Sequence, residues 1–386
     1  ARRLATSGDP SALWREVRSI ISPKTHSNLK LNVNNVEITD DKKLANTFNE
    51  YFVEKVRLLR EGIDSNDVRD PMDPLKKKFC GRAPGLFEFK PVSEEEVKKV
   101  IKNLKSKKSS GLDGVGQDLL RSISSEISKP LQAIINLSIK TGKFPSTWKK
   151  SKVVPLLKKG DPTSVTNYRP VSCLPSASKV LEGIVEGQLR TYVEENRILP
   201  IQQHGFRKGR STTTALASMI CDWTAKYESG HHTGALLWDL SAAFDTIDVD
   251  TLCTKLTTYG ASKNVVCWFR TFLTDREQKV KIGDTLSDPI YTSVGCPQGS
   301  LLSPLIFLIY VADIELWTEH VKLSGYADDT ISSFSSKDEK EVISKLESDA
   351  RKILEFMASN SLVANSSKTG LLFIRSERRL PPQSVM

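Results

Sequence analysis

With 386 residues, 39% hydrophobic and 26% charged, the chain can bury a substantial core in one large domain or two to three lobes, and its balance excludes wholesale disorder and a coiled coil. The net charge of +10 is concentrated: residues 90–160 hold 16 Lys and Arg against 6 Asp and Glu, which equals the whole excess. A lysine run by itself is usually a solvated helix face, so this stretch points to a polyanionic partner only if chemistry elsewhere asks for one.

In chain order, amphipathic patterns predict helices around Ser11–Ile21 and Lys42–Leu59, the second with Leu44, Phe48, Phe52 and Val56 at helical spacing. The polar, proline-broken stretch from Asp64 to Lys78 reads as a linker. Ser93 with Glu96 three residues on fits a capping box, opening a helix with the stripe Val97, Val100, Ile101 and Leu104. Val153–Leu157 and Ala235–Leu240 read as strands, and Val180–Val193 as a helix. LLSPLIFLIY reads as a buried helix broken or started near Pro304, and Lys337–Ser359 as a long amphipathic helix. The order is mixed α and β, without internal repeats.

Six cysteines (Cys80, Cys173, Cys221, Cys253, Cys267 and Cys296) stand singly, with no zinc spacing, as free thiols of an intracellular protein would. No apolar run reaches about 18 residues, so neither a membrane span nor a signal peptide is expected. The start at Ala1 and the stop at SVM suggest a fragment of something longer.

Chemistry enters where two apolar strands end in carboxylates. GALLWDLSAAFDTID carries Asp239 directly after its strand, and GYADDTISSF carries Asp328 and Asp329 at the tip of a hairpin. An Asp pair alone reads more readily as an Asx-type turn. Side by side in one sheet, however, Asp239, Asp328 and Asp329 would repel one another unless a hard cation neutralised them, and magnesium suits carboxylates, water and phosphate oxygens. Such a site suits phosphoryl transfer with two ions roughly 3.5 to 4 Å apart.

In order, NYRPVS (167–172), QHGFRKGRST (203–212), LLWDLSAAFDTID (236–248), GCPQGSLLSPLIF (295–307), YADD (326–329) and NSSKT (365–369) resemble the ordered motif set of reverse transcriptases. The resemblance is nearest to non-long-terminal-repeat retrotransposons of the long interspersed, jockey-like kind. Looser similarity in KKSSGLDG and LANTFNEYF extends it through most of the chain.

The resemblance implies an α+β right-hand polymerase with fingers and palm, in which an antiparallel palm sheet packs on helices and the thumb is missing or truncated. It implies a helical N-terminal linker region at 1–85, a reverse transcriptase domain at 86–375 and a tail at 376–386. Asp239 and Asp328 would hold two Mg2+ ions, for which Mn2+ could substitute, with the Leu240 carbonyl assisting and Asp329 completing the acidic cluster. Phe244 would lie under the sugar of the incoming deoxynucleoside triphosphate and exclude a 2′-hydroxyl, although a phenylalanine after a strand is as often core. Asp245 and Asp248 would be supporting residues and not metal ligands.

Gln298 and Gly299 of PQGS would approach the nucleotide, with a plain Pro-Gly turn as the alternative. Arg169, with Lys158 or Lys159, would clasp the triphosphate. Lys368 would protonate departing pyrophosphate, or be a surface-turn lysine. Arg207, Lys208 and Arg210, with the basic 90–160 stretch, would track the RNA template and DNA primer.

The implied activity is RNA-directed DNA synthesis, with an RNA-binding remnant or an intron-maturase or telomerase-like polymerase as alternatives. Use of chromosomal DNA implies nuclear access, so an intracellular place in the nucleus and/or the cytoplasm is expected, with no membrane partner. Trp238 and Cys296 depart from the family pattern, which more often has a slimmer apolar residue and Val. No endonuclease constellation is visible at the N-terminus.

Overall fold

The computed structural model describes residues 29–63, 68–79, 85–106 and 109–376; the helix read at Ser11–Ile21, Cys80 and the tail after 376 lie outside the described residues. In chain order the strands are β1 (Leu31–Val33), β2 (Val36–Ile38), β3 (Ser151–Leu157), β4 (Tyr168–Cys173), β5 (His232–Trp238), β6 (Arg276–Ile282), β7 (Thr285–Leu286), β8 (Ile290–Thr292), β9 (Lys322–Tyr326), β10 (Asp329–Ser336) and β11 (Gly370–Ile374).

One sheet has the order β11-β5-β10-β9 and is antiparallel throughout. From Gly234 to Trp238 β5 carries no polar side chain, and helices pack on its sheet: Glu339–Ser359 on β5 and β10, and Thr212–Glu228 on β5 and β9. The first helix comes so close that a Cβ on Gly234 would lie 2.3 Å from Leu346 Cδ1 and 2.9 Å from Val342 Cγ1. Trp238 fits because its ring is buried in the main core and its indole Nε1–H donates to Ser332 Oγ of β10 at 2.9 Å. Trp268, Phe269, Phe272, Phe307, Tyr310 and Phe356 fill that core.

The second sheet runs β4-β3-β6-β7, with β8 also on β6; β3 pairs antiparallel with β4 and parallel with β6. The Asp41–Glu61 helix, capped by the Asp40 side chain accepting from Lys43 N, lies against this sheet. Its Leu44, Phe48 and Phe52 meet Val153, Tyr168 and Val280 in a smaller core. Each such side chain, fully buried, contributes about 1.5 to 3 kcal/mol.

The capping box at Ser93 and Glu96 forms as the sequence suggests. The linker reading is corrected in part: Asp73–Lys78 is a short helix with Pro74 in its first turn, and Leu75 and Met72 are buried in the main core. Residues 64–67 lie outside the described residues. The strand read to Leu240 ends at Trp238, and the helix Ser303–Tyr310 holds Pro304 in its first turn and is not broken by it. Among the described residues, no helix is long and apolar enough to cross a membrane.

Candidate active site

The pairing of β5 with β10 sets the site. Trp238 is the register partner of Thr330, so the next step along each strand places Asp239 beside Asp329, with Asp328 in the preceding turn. The carboxylates that the sequence keeps far apart thus meet at one end of one sheet. Asp329 stands exposed, and its carboxyl is raised above the usual range by partial burial and by the like charges of Asp328 and Asp239, with Lys368 opposing.

Residues 363–368 wrap around Asp239. Asn365 N–H donates to the Asp239 carbonyl at 2.8 Å, and its Nδ2 donates to Asp239 Oδ2 at 2.9 Å. Lys368 Nζ lies 3.1 Å from the same oxygen. Leu240 forms an antiparallel bridge with Ala364.

Asp239 and Asp328 open onto a cleft of about 370 Å³, whose lining does not include Asp329. Asp239, Asp328 and Asp245 supply its carboxylates, and Lys55, Lys158, Arg169 and Lys368 its cations. Lys158 titrates below its ordinary value through burial and then through the charges of Lys55, Lys368 and Arg169. Burial pushes Asp245 up to about 6, against the pull of a hydrogen bond from Gln298 and the charges of Lys55 and Lys158. Gln298 Nε2 donates to Asp245 Oδ2 at 2.6 Å. The Phe244 ring, also in the lining, rests on Phe307 with centroids 4.9 Å apart and meets Phe206 edge-on at 6.3 Å. Lys159, beside Lys158, is not part of the lining.

The sequence profile described as reverse transcriptase (RNA-dependent DNA polymerase) matches residues 156–380. The chain belongs to the reverse transcriptase family. It is similar to the probable RNA-directed DNA polymerase from transposon BS of Drosophila melanogaster, 31% identical over 64% of the chain and 28% of that protein. It is also similar to the corresponding protein of the transposon X-element of Drosophila melanogaster, 25% identical over 98% of the chain and 42% of the relative. A third relative is the RNA-directed DNA polymerase from mobile element jockey of Drosophila funebris, 30% identical over 62% of the chain and 27% of the relative. The chain therefore spans less than half the length of these relatives.

In this chain, three residues expected to meet nucleotide or nucleic acid have partners inside the protein. Gly299, with φ +126, makes its close approach to protein: a Cβ there would lie 2.3 Å from the Ser172 carbonyl oxygen, and Ser172 N–H donates to the Gln298 carbonyl at 2.7 Å. Arg207 and Arg210 are bonded within the fold. Arg207 pairs with Glu194 and donates to the Pro200 carbonyl at 2.7 Å, and Arg210 donates to the carbonyls of Ile201 and Gln203. Lys208 between them is exposed.

Sequence reading passed over four polar residues. Lys55 sits on the polar side of an ordinary amphipathic helix, so nothing local marks it. Asn365 and Gln203 lie within the quoted motifs but were assigned no role. Glu182, inside an apolar helical stripe, is fully buried and accepts from Ser178 Oγ, Ser300 Oγ and Leu301 N, which pins the PQGS loop.

Among the described residues, no group of three or more His, Cys, Asp and Glu side chains is arranged to hold a metal ion by itself. The donor set nonetheless suits a hard cation that takes one or two carboxylates and completes its shell with water and phosphate oxygens. The attraction of Lys368 to Asp239 and the raised Asp329 carboxyl both mark surplus negative charge at this point.

Proposed function

We propose that this chain is the polymerase segment of a non-long-terminal-repeat retrotransposon enzyme, adding deoxynucleotides to a primer 3′-hydroxyl on an RNA template. The observation that supports this reading best is the β5–β10 register, which brings Asp239 to the Asp328–Asp329 turn at a cleft also lined by Lys158 and Arg169. The first sheet serves as palm and the second as fingers. The reverse transcriptase domain would span 86–375, between an N-terminal region at 1–85 and a tail at 376–386; the described part of the N-terminal region holds β1, β2 and the Asp41–Glu61 helix, whose Phe52, Lys55 and Val56 wall the cleft.

Two divalent ions, Mg2+ in the first instance, would be held by Asp239 and Asp328, with Asp329 and the Leu240 carbonyl beside them. Bound there, they supply Lewis-acid activation of the 3′-hydroxyl and charge neutralisation on the leaving pyrophosphate. The remaining work falls to side chains of the cleft. Lys158 and Arg169 draw in the triphosphate, Phe244 supports the sugar and leaves no space for a 2′-hydroxyl, and Lys368 stands ready to give a proton to the departing oxygen. Asp245 fixes the Gln298 amide at the nucleotide's edge. In the parent element the primer would be a nicked chromosomal end.

The deciding experiment is primer extension on an RNA template with Asp328→Asn as the control. Incorporation should fall by at least about 10²-fold, the scale on which a lost charge-stabilising group costs turnover. Equal incorporation by variant and parent removes this site. Gel shifts with RNA but no incorporation by the parent would make the chain a binding remnant.

A further inference from the structure

The acidic hairpin is built on a turn that its own residues do not favour. Between Tyr326 of β9 and Asp329 of β10 stand only Ala327 and Asp328, and Ala327 has φ +60. Two-residue connections with a positive φ at the first position ordinarily carry glycine there, because a Cβ crowds the neighbouring carbonyl. Alanine persists in such a conformation only when its surroundings over-determine it.

Those surroundings come from a loop 124 residues upstream. The buried Gln203 side chain grips both backbone polar groups of Ala327: its Oε1 accepts from Ala327 N–H at 3.1 Å, and its Nε2 donates to the Ala327 carbonyl at 3.3 Å. The same Oε1 accepts from Gly205 N–H at 2.8 Å, so the carboxamide ties its own loop to the turn. Backbone pairing reinforces the grip, with His204 N–H donating to the Gly325 carbonyl at 2.8 Å and Gly325 N–H to the Gln202 carbonyl at 3.1 Å. A Cβ on Gly205 would lie 2.0 Å from Ala327 N, so the loop closes on the turn only where a side chain is absent. Arg207 and Arg210 hold the loop from behind through Pro200, Ile201 and Gln203 carbonyls.

We propose that Gln203 is a positioning residue for the acidic hairpin: its carboxamide imposes the Ala327 conformation and thereby fixes where Asp328 and Asp329 stand relative to Asp239. The carboxamide suits the task because one oxygen accepts and one nitrogen donates, matching the N–H and C=O of a single residue. Misplacement of a reacting group by about 1 Å can cost 10²-fold in rate.

The test uses the full chain with Gln203→Ala, alone and with Ala327→Gly. Amide exchange at the hairpin, read by mass spectrometry on a peptide covering 322–330, should be at least about tenfold faster in Gln203→Ala at an unchanged Tm. Primer extension on RNA should lose at least about tenfold in kcat with the deoxynucleotide KM within about threefold, because the triphosphate wall is untouched. Ala327→Gly, which removes the conformational strain, should restore most of that kcat.

Unchanged exchange in Gln203→Ala overturns the proposal. So does a kcat loss that follows a fall in Tm and is not recovered by Ala327→Gly, since that is the behaviour of a core residue. The kinetic arm rests on the polymerase reading and the exchange arm does not. A parent chain that incorporates nothing, yet whose hairpin exchange depends on Gln203, retains the clamp and loses the polymerase.

Discussion

Lys368 Nζ lies 3.1 Å from Asp239 Oδ2 across 129 residues of sequence, and Asn365 Nδ2 donates to the same oxygen at 2.9 Å. The lysine is exposed, and an exposed ion pair contributes little to stability. Its place at the mouth of the cleft fits chemistry better than folding. Lys368→Ala should lower kcat by about 10²-fold, the lower end of what a proton donor supplies, with Tm unchanged. Lys368→Arg keeps the charge but gives up a proton far less readily, so it should stay impaired. Single-turnover incorporation rates for both variants check this, and a kcat within twofold of the parent would assign Lys368 to the surface.

Arg169 and Arg207 looked alike in the sequence, each an arginine in a motif beside polar residues, and the structure separates them. Arg169 is exposed on β4 and lines the cleft, whereas Arg207 is largely buried against Glu194 and the Pro200 carbonyl. Arg169→Ala should raise the deoxynucleotide KM by about tenfold, the cost of one charge-assisted phosphate contact. Arg207→Ala should instead lower Tm and leave unchanged the slope of RNA affinity against log salt, because no phosphate contact is lost. A reduced slope in Arg207→Ala would return that residue to the nucleic-acid surface.

Much of this arrangement was legible locally. Ser93 with Glu96 announced the start of one helix, the spacing of Leu44, Phe48 and Phe52 announced the buried face of another, and the apolar strands running into aspartates pointed to the candidate site. What stayed hidden depends on partners distant in sequence. β3 and β6 pair in parallel across more than a hundred residues, and the alternation in REQKVKI says nothing of which strand it will join. Pro74 and three lysines made Asp73–Lys78 look like a linker, yet proline is tolerated in a first helical turn and one buried leucine anchors the segment. Gln203 showed no signal because its contacts are with the backbone of a turn whose strain cannot be read from the letters YADD.

Asp245 carries a pH dependence whose sign is fixed by its environment. Burial raises its folded-state value to about 6, above the value near 3.9 of an unfolded aspartate. The folded chain therefore holds a proton that the unfolded chain has lost between those values, and stability falls as pH rises from about 4 to about 6. Asp245→Asn keeps an oxygen for Gln298 Nε2 and removes the charge. The variant should gain Tm over the parent at pH 7.5 and show no gain at pH 4, measured by thermal melts across that range. Equal Tm differences at both values would mean that Asp245 titrates normally.

Lys255 and Asp313 form a fully buried ion pair, Nζ to Oδ1 2.6 Å, inside the main core. The ammonium also donates to the Tyr310 carbonyl at 2.6 Å and lies 5.0 Å from the Tyr310 ring centroid and 5.2 Å from that of Phe356. Burial pulls Lys255 down and pushes Asp313 up, and each is held charged by the other. Among the described residues Asp313 Oδ2 has no hydrogen-bond partner, so the pair is not fully compensated. Removing one member leaves a bare buried charge: Asp313→Ala or Lys255→Met should each destabilise by about 3 to 5 kcal/mol in urea unfolding. The double variant Lys255→Met with Asp313→Leu removes both charges and should recover most of that loss, because desolvating the pair offsets much of its mutual attraction. Single variants that unfold at the parent's midpoint would show that water reaches the pair and that the core here is not closed.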